Sequence, residues 1–126
     1  MGARRLLVVD DEPGFRDFVG RVAVKLGFDV ERAADGRAFK SLYEVFDPDV
    51  AVIDVVMAGI DGIELVQWLA ERGATLHLVV VTGFAPDYAE FAKKLGEAKG
   101  LSSVSLLTKP VRMAALQEAL IRTGGA

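Results

Sequence analysis

Asp49-Val50-Ala51-Val52-Ile53-Asp54 is the stretch on which the reading of the fold turns. Four consecutive apolar residues, three of them β-branched, predict a strand buried on both faces, and the strand runs directly into a carboxylate at Asp54. Working back toward the N-terminus, Leu6-Leu7-Val8-Val9 is a second short apolar run, and it too ends in acids, at Asp10, Asp11 and Glu12. Between the two, Phe15, Phe18, Val19, Val22, Ala23 and Leu26 recur at the spacing of one helix face, with Pro13 suited to the first turn and Gly27 to the stop. Phe28 to Ala33 alternates apolar and polar, which predicts an edge strand. Asp35 then offers a cap for a helix carrying Ala38, Phe39, Leu42 and Val45, which ends before Pro48.

Beyond Asp54 the alternation continues. Asp61 with Glu64 resembles a capping box opening a helix on Ile63, Val66, Leu69 and Ala70, which ends near Gly73. Leu76 to Val81 is a further buried strand reaching Thr82-Gly83. Pro86 opens a helix with Tyr88, Phe91, Ala92 and Leu95 on one face, Val104 to Leu107 leads to Thr108-Lys109-Pro110, and a last helix uses Val111, Leu116, Ala119 and Leu120. Strand and helix thus alternate five times, which predicts an α/β fold: a (βα)5 doubly wound, five-stranded parallel sheet with helices on both faces. The first, third and fourth strands are the most apolar and are expected at the centre.

The chain has 126 residues, 52% of them hydrophobic, so it can bury a core without staples and is not a disordered tail. We read residues 1–126 as one domain, with its core at about 4–122 and a tail at 123–126. No apolar run is long enough to span a bilayer, and the apolar run after Arg4-Arg5 is too short for a signal peptide. Zero cysteines exclude disulfides, thiolate nucleophiles and cysteine metal sites, and fit a reducing compartment. A formal charge of -3 speaks against nucleic acid as the direct partner. These features together predict a cytoplasmic location and no membrane partner.

In an open parallel sheet the chemistry lies beyond the carboxyl ends of the strands, and there Asp10, Asp11, Asp54, Thr82 and Lys109 would meet. Carboxylates about 4 Å apart repel by roughly 1 to 4 kcal/mol per pair, so a hard cation such as Mg²⁺, with oxygen ligands, is expected to offset them. Lys109 and Thr82 supply the positive charge and the hydroxyl that a phosphoryl group would want on its other sides. An aspartate so placed can act as a nucleophile toward phosphorus.

Asp10-Asp11 after the first strand, Asp54 with Met57 and Asp61-Gly62 downstream, Thr82-Gly83 after the fourth strand and Lys109-Pro110 after the fifth resemble, over the whole chain, a response-regulator receiver domain of two-component signalling. The resemblance implies a flavodoxin-like (CheY-like) fold in which Asp54 accepts a phosphoryl group from a histidine-kinase phosphohistidine. It further implies Mg²⁺ bound directly by Asp11, Asp54 and the backbone carbonyl of Val56, and through water by Asp10. Thr82 and Lys109 would contact the phosphoryl group and bias the surface of the fourth helix, fifth strand and fifth helix, which Lys93 and Lys94 border.

The implied partners are a sensor histidine kinase or a histidine phosphotransfer protein, and downstream either a protein target or a C-terminal output domain outside this chain. A phosphorylation-dependent homodimer is compatible with the same reading, and catalysis of any other substrate is not expected. Two departures stand out: Ala58 follows Met57 where the family has proline, and Leu106 stands where it commonly has Tyr or Phe as the partner of the threonine. Leu106 motivates one alternative, a receiver-like adaptor that works without phosphorylation. A remote alternative, a haloacid-dehalogenase-like phosphohydrolase, lacks its Asp-x-Asp pattern after the first strand. His77 is expected to be a partly buried structural residue, and Trp68 to lie either on the outer side of the third helix or in the core.

Overall fold

The computed structural model describes residues 2–57, 62–83, 86–101 and 103–122. Five strands, β1 (Arg5–Val9), β2 (Asp29–Ala33), β3 (Val50–Asp54), β4 (His77–Thr82) and β5 (Val104–Thr108), alternate with five helices. These are α1 (Pro13–Lys25), α2 (Gly36–Phe46), α3 (Gly62–Glu71), α4 (Pro86–Ala98) and α5 (Met113–Arg122). The strands form one parallel sheet in the order β2-β1-β3-β4-β5, so the three most apolar strands are indeed central. Alternate residues of each central strand feed two separate cores. Leu7, Val9, Ala51, Ile53, Leu78 and Val80 pack on the side of α2, α3 and α4. Leu6, Val8, Val50, Val52, Val79 and Val81 pack on the side of α1 and α5. The reversal of strand order between β1 and β3 opens a crevice at their carboxyl ends, where Asp10 and Asp54 emerge.

Local chemistry accounts for the element ends. Pro13 occupies the first turn of α1, and Gly27 follows the helix with φ +95°. The Asp35 carboxylate accepts the Ala38 N–H at 2.8 Å, the cap expected for α2. Gly100, at φ +105°, terminates α4, and the Leu101 N–H donates back to the Gly96 carbonyl at 2.9 Å. The loop 58–61, with Ala58 and the cap expected at Asp61, lies outside the described residues, as do the tail at 123–126 and the side chain of Tyr88.

Three helix-face assignments need correction. Val45 is 82% exposed, because the apolar stripe of α2 runs through Phe39, Leu42, Tyr43 and Phe46 at i, i+3, i+4 and i+7, and Val45 falls opposite. Phe91 is likewise exposed. Helix α4 instead seats itself through Ala92 and Gly96, and a Cβ on Gly96 would stand 3.1 Å from Leu101 Cδ1 and 3.3 Å from Val66 Cγ1. Val111 packs against the core from the loop, not from α5, which begins at Met113. Pro110 is also a loop residue, following a cis peptide bond. Trp68 takes the core-side option in part: its ring meets Tyr43 edge-on at 5.3 Å and lies 4.1 Å beneath the Arg72 guanidinium.

His77 is buried at the start of β4, where Nδ1 bonds the Ser103 hydroxyl and Nε2 the Ser105 hydroxyl at 3.1 Å. Burial first, and the charge of Arg4 second, push its pKa below 6.5. The neutral ring therefore contributes stability that is present above pH 6.5 and is lost as the pH falls through the folded-state value. Acidification from about pH 7 to about pH 5 is expected to lower the melting temperature less in His77→Gln than in the parent, which thermal scans across that range will show.

Candidate functional site

The crevice holds a cleft of about 810 Å³ lined by Asp11, Glu12, Asp54, Val56, Gly83 and Lys109, with Phe15, Phe18, Pro110 and Val111 as its apolar wall. Each polar group arrives there because its element ends there. Asp10 follows β1 and is fully buried. Its Oδ1 accepts the Glu12 N–H at 2.8 Å, and its carbonyl accepts an Arg16 guanidinium N–H at 2.7 Å. Asp54 is the last residue of β3, 6% exposed, with Oδ1 accepting the Val56 N–H at 3.1 Å. Thr82 ends β4, is 1% exposed, and its carbonyl accepts the Lys109 N–H at 2.7 Å, which fixes the lysine beside it.

Lys109 reaches from the end of β5 into the middle of the acids. Its ammonium lies 2.5 Å from Glu12 Oε1, 3.0 Å from Asp10 Oδ2 and 3.3 Å from Asp54 Oδ2, and 4.5 Å from the centre of the Phe15 ring. Burial alone would lower the lysine pKa, but the hydrogen bond to Glu12 and the negative charges of Asp10 and Asp54 outweigh it, so the net shift is upward. Lys109 is thus held as a cation. Asp54 is pushed up, first by burial and then by Asp10, against the pull of the Val56 N–H and of Lys109. It is an acid whose charge needs company.

Asp10, Glu12 and Asp54 each offer a carboxylate oxygen, all within 4.8 Å of one another. Asp10 Oδ2 is buried without a hydrogen bond, since the ammonium 3.0 Å away lies off line and attracts it only as an ion. A crowded set of hard oxygens with one left unsatisfied fits a small divalent cation. The sequence-selected Asp10, Asp54 and Lys109 are therefore brought together. Asp11 lines the same cleft but is not one of the three grouped acids, while Val56 lines it with an exposed side chain.

Glu12 is the residue the sequence reading passed over. The available signal was its place before Pro13: a pre-proline residue is held extended, and Glu12 has φ -93° and ψ 113°, with no side-chain bond to its own helix. Its carboxylate turns instead over the strand ends, toward Lys109. On the other side of β5, Lys93 is half-buried and lines a groove of about 370 Å³ with Val104, Ser105, Leu106, Leu107 and Glu118. Lys94 is exposed on the helix beside it.

In a sheet of this order, acids and a lysine meeting at the carboxyl rim form a pocket suited to a cation and a phosphoryl group. The chain belongs to the response regulator receiver domain family, whose pattern matches residues 6–121. It is 36% identical over 118 residues to the positive alginate biosynthesis regulatory protein of Pseudomonas aeruginosa, covering 91% of this chain and 45% of that one. It is 32% identical over 123 residues to the photosynthetic apparatus regulatory protein RegA of Rhodobacter capsulatus, covering 98% and 64%. Among solved structures, the chemotaxis protein CheY4 of Vibrio cholerae superposes with a TM-score of 0.81 at 27% identity, covering 97% of this chain and 99% of that one. The chain is therefore a receiver domain of two-component response regulators, and its acidic pocket fits the phosphoacceptor site. It spans less than two thirds of the length of the two regulators named first. Among the described residues no helix is long and apolar enough to cross a membrane.

Proposed function

We propose that Asp54 is the phosphoacceptor and that the donor is the phosphohistidine of a sensor histidine kinase or a histidine phosphotransfer protein. The observation that carries this is the Lys109 ammonium, 3.3 Å from Asp54 Oδ2 and 3.0 Å from Asp10 Oδ2 in a cleft open to solvent. An Asp54 oxygen forms the new bond to phosphorus, the bond from phosphorus to the donor imidazole nitrogen breaks, and that nitrogen leaves with the electron pair and takes up a proton. Lys109 neutralises charge on the phosphoryl oxygens, and Thr82 donates its hydroxyl to one of them.

Asp11, Asp54 and the Val56 carbonyl would hold Mg²⁺, with Asp10 through water, and the ion would supply charge neutralisation at the phosphoryl group. The domain acts on no other substrate, losing its phosphoryl group by its own hydrolysis. Because its donor draws on ATP, we place it in the cytoplasm. It forms one unit over residues 1–126, and its output is a protein target or a further domain that reads the groove between α4, β5 and α5. Self-association on phosphorylation would use that same face.

Incubation with acetyl phosphate and Mg²⁺, followed by intact mass and peptide mapping, tests the reading. It predicts one added phosphoryl group on the peptide that contains Asp54. No addition to a folded protein would favour the second reading, a phosphorylation-independent adaptor. The observation behind that reading is Leu106, half-buried against the core and carrying no aromatic ring to couple with Thr82.

A further inference from the structure

We infer that Glu12 is a positioning residue for Lys109: it provides the seat on which the ammonium rests when a divalent cation engages Asp54 directly and Asp10 through water. The inference builds on the phosphoacceptor reading and extends it to a residue outside the acid pair. Three observations support it. Glu12 stands where an N-cap would bond its own helix, yet it makes no such bond and reaches across to β5. Of the three carboxylates around the ammonium, Glu12 is the closest, at 2.5 Å, against 3.0 Å for Asp10 and 3.3 Å for Asp54. The three also differ in burial: the Glu12 side chain is 65% exposed, whereas those of Asp10 and Asp54 are 0% and 7% exposed.

The buried pair cannot be left unpaired at small cost, since an uncompensated buried charge destabilises strongly. Glu12, in water, can gain or lose a partner with little penalty. Lys109 can therefore shift its weight between an inner pair and an outer acid. With the inner pair satisfied by a cation, the lysine stays charged, stays in the cleft and stays on Glu12, ready for phosphoryl oxygens. Asp10 Oδ2, buried and without a hydrogen bond, is the inner atom with the most to gain from a cation. If Glu12 is removed, Lys109 falls back on the inner acids of the three around it and competes with the cation for them.

The test is a double-mutant cycle read by calorimetric titration of Mg²⁺ into the unphosphorylated protein, with Glu12→Gln in the parent and in Lys109→Met. Glu12→Gln is expected to weaken Mg²⁺ binding roughly fivefold in the parent, the size of a partly exposed charge pair, and by less than about twofold once Lys109 is gone. Equal weakening in both backgrounds would assign Glu12 to the cation itself and overturn the inference, as would no weakening in the parent. The cycle is repeated with Lys109→Gln so that a folding defect in one lysine variant leaves the other to decide. Failure of the parent to bind Mg²⁺ at all would instead undo the phosphoacceptor reading beneath it.

Discussion

Asp54→Asn protein is expected to take up no phosphoryl group from acetyl phosphate and Mg²⁺ under conditions in which the parent is modified. The amide oxygen is a poor nucleophile, and with its oxygen kept on the Val56 N–H the amide would turn its N–H₂ to the Lys109 ammonium, reversing the polarity of that contact. Of the other acids at the cleft, Asp11 is assigned to the cation in this reading. The side chain of Glu12 is exposed and already committed to Lys109, and Asp10 is buried beneath it. The variant should lose this function without losing its fold. The Asp54 carboxyl is held above its ordinary value of 3.8, chiefly by burial, so its contribution to stability is present below that value and is lost as the pH rises through the folded-state value. At neutral pH in a chelator the ionised group is therefore a liability, and Asp54→Asn should melt at a higher temperature than the parent. Intact mass and a thermal scan on the same sample check both halves.

Gly62→Ala is expected to destabilise the protein by about 3 kcal/mol, the upper range for overpacking a closed contact. A Cβ there would stand 2.3 Å from Val55 Cα and 2.5 Å from the Asp54 carbonyl oxygen, both backbone atoms that cannot rotate aside. The same backbone is tied down by the Gly62 N–H donating to the Val55 carbonyl at 3.0 Å and by the Val55 N–H donating to Val81 at 3.0 Å. Relief would have to come from moving the segment that aims Asp54 and Val56, so phosphoryl uptake should fall along with the urea midpoint. Gly20→Ala makes the control. The three atoms nearest its Cβ all belong to the guanidinium of Arg32, the closest being Nη2 at 2.1 Å, the far end of a side chain that can swing away. That change exchanges an Arg32–Asp17 contact of 3.8 Å for better helix propensity, each worth about 1 kcal/mol or less, so its midpoint should barely move. Urea titrations of the three proteins at equal slope decide the matter.

The architecture was legible because its signals were local and repeated. Val50 to Ile53 and Leu6 to Val9 are too apolar and too short to be anything but central strands, and the acids that end them can only lie at the rim. Helix faces were legible where the stripe was continuous and failed where two apolar residues competed for one position. Val45 lost to Phe46, and Phe91 lost to Ala92 and Gly96, whose small size lets α4 approach Val66 and Leu101 closely. Asp10, Asp54 and Lys109 could be named from sequence because each ends a strand or follows one directly. Glu12 could not be named so easily. Its side chain is placed by the backbone direction that Pro13 imposes, a three-dimensional consequence of a residue that otherwise reads only as a helix start.

The two rims of the sheet differ in a way that bears on how this protein behaves when concentrated. β2 carries Asp29, Glu31 and Arg32 in five residues, and mutual repulsion and hydration keep another strand from adding to it. β5, the opposite rim, reads Val104-Ser105-Leu106-Leu107-Thr108, with no charge and no proline, and α4 and α5 cover its faces while its outer row of amides and carbonyls stays unpaired within the sheet. Strand addition, whether from a second copy or from a chain caught part-way through unfolding, is therefore directed to one rim. A single lysine placed on β5 with its side chain toward water should delay precipitation on heating, whereas the same change on β2 should do nothing.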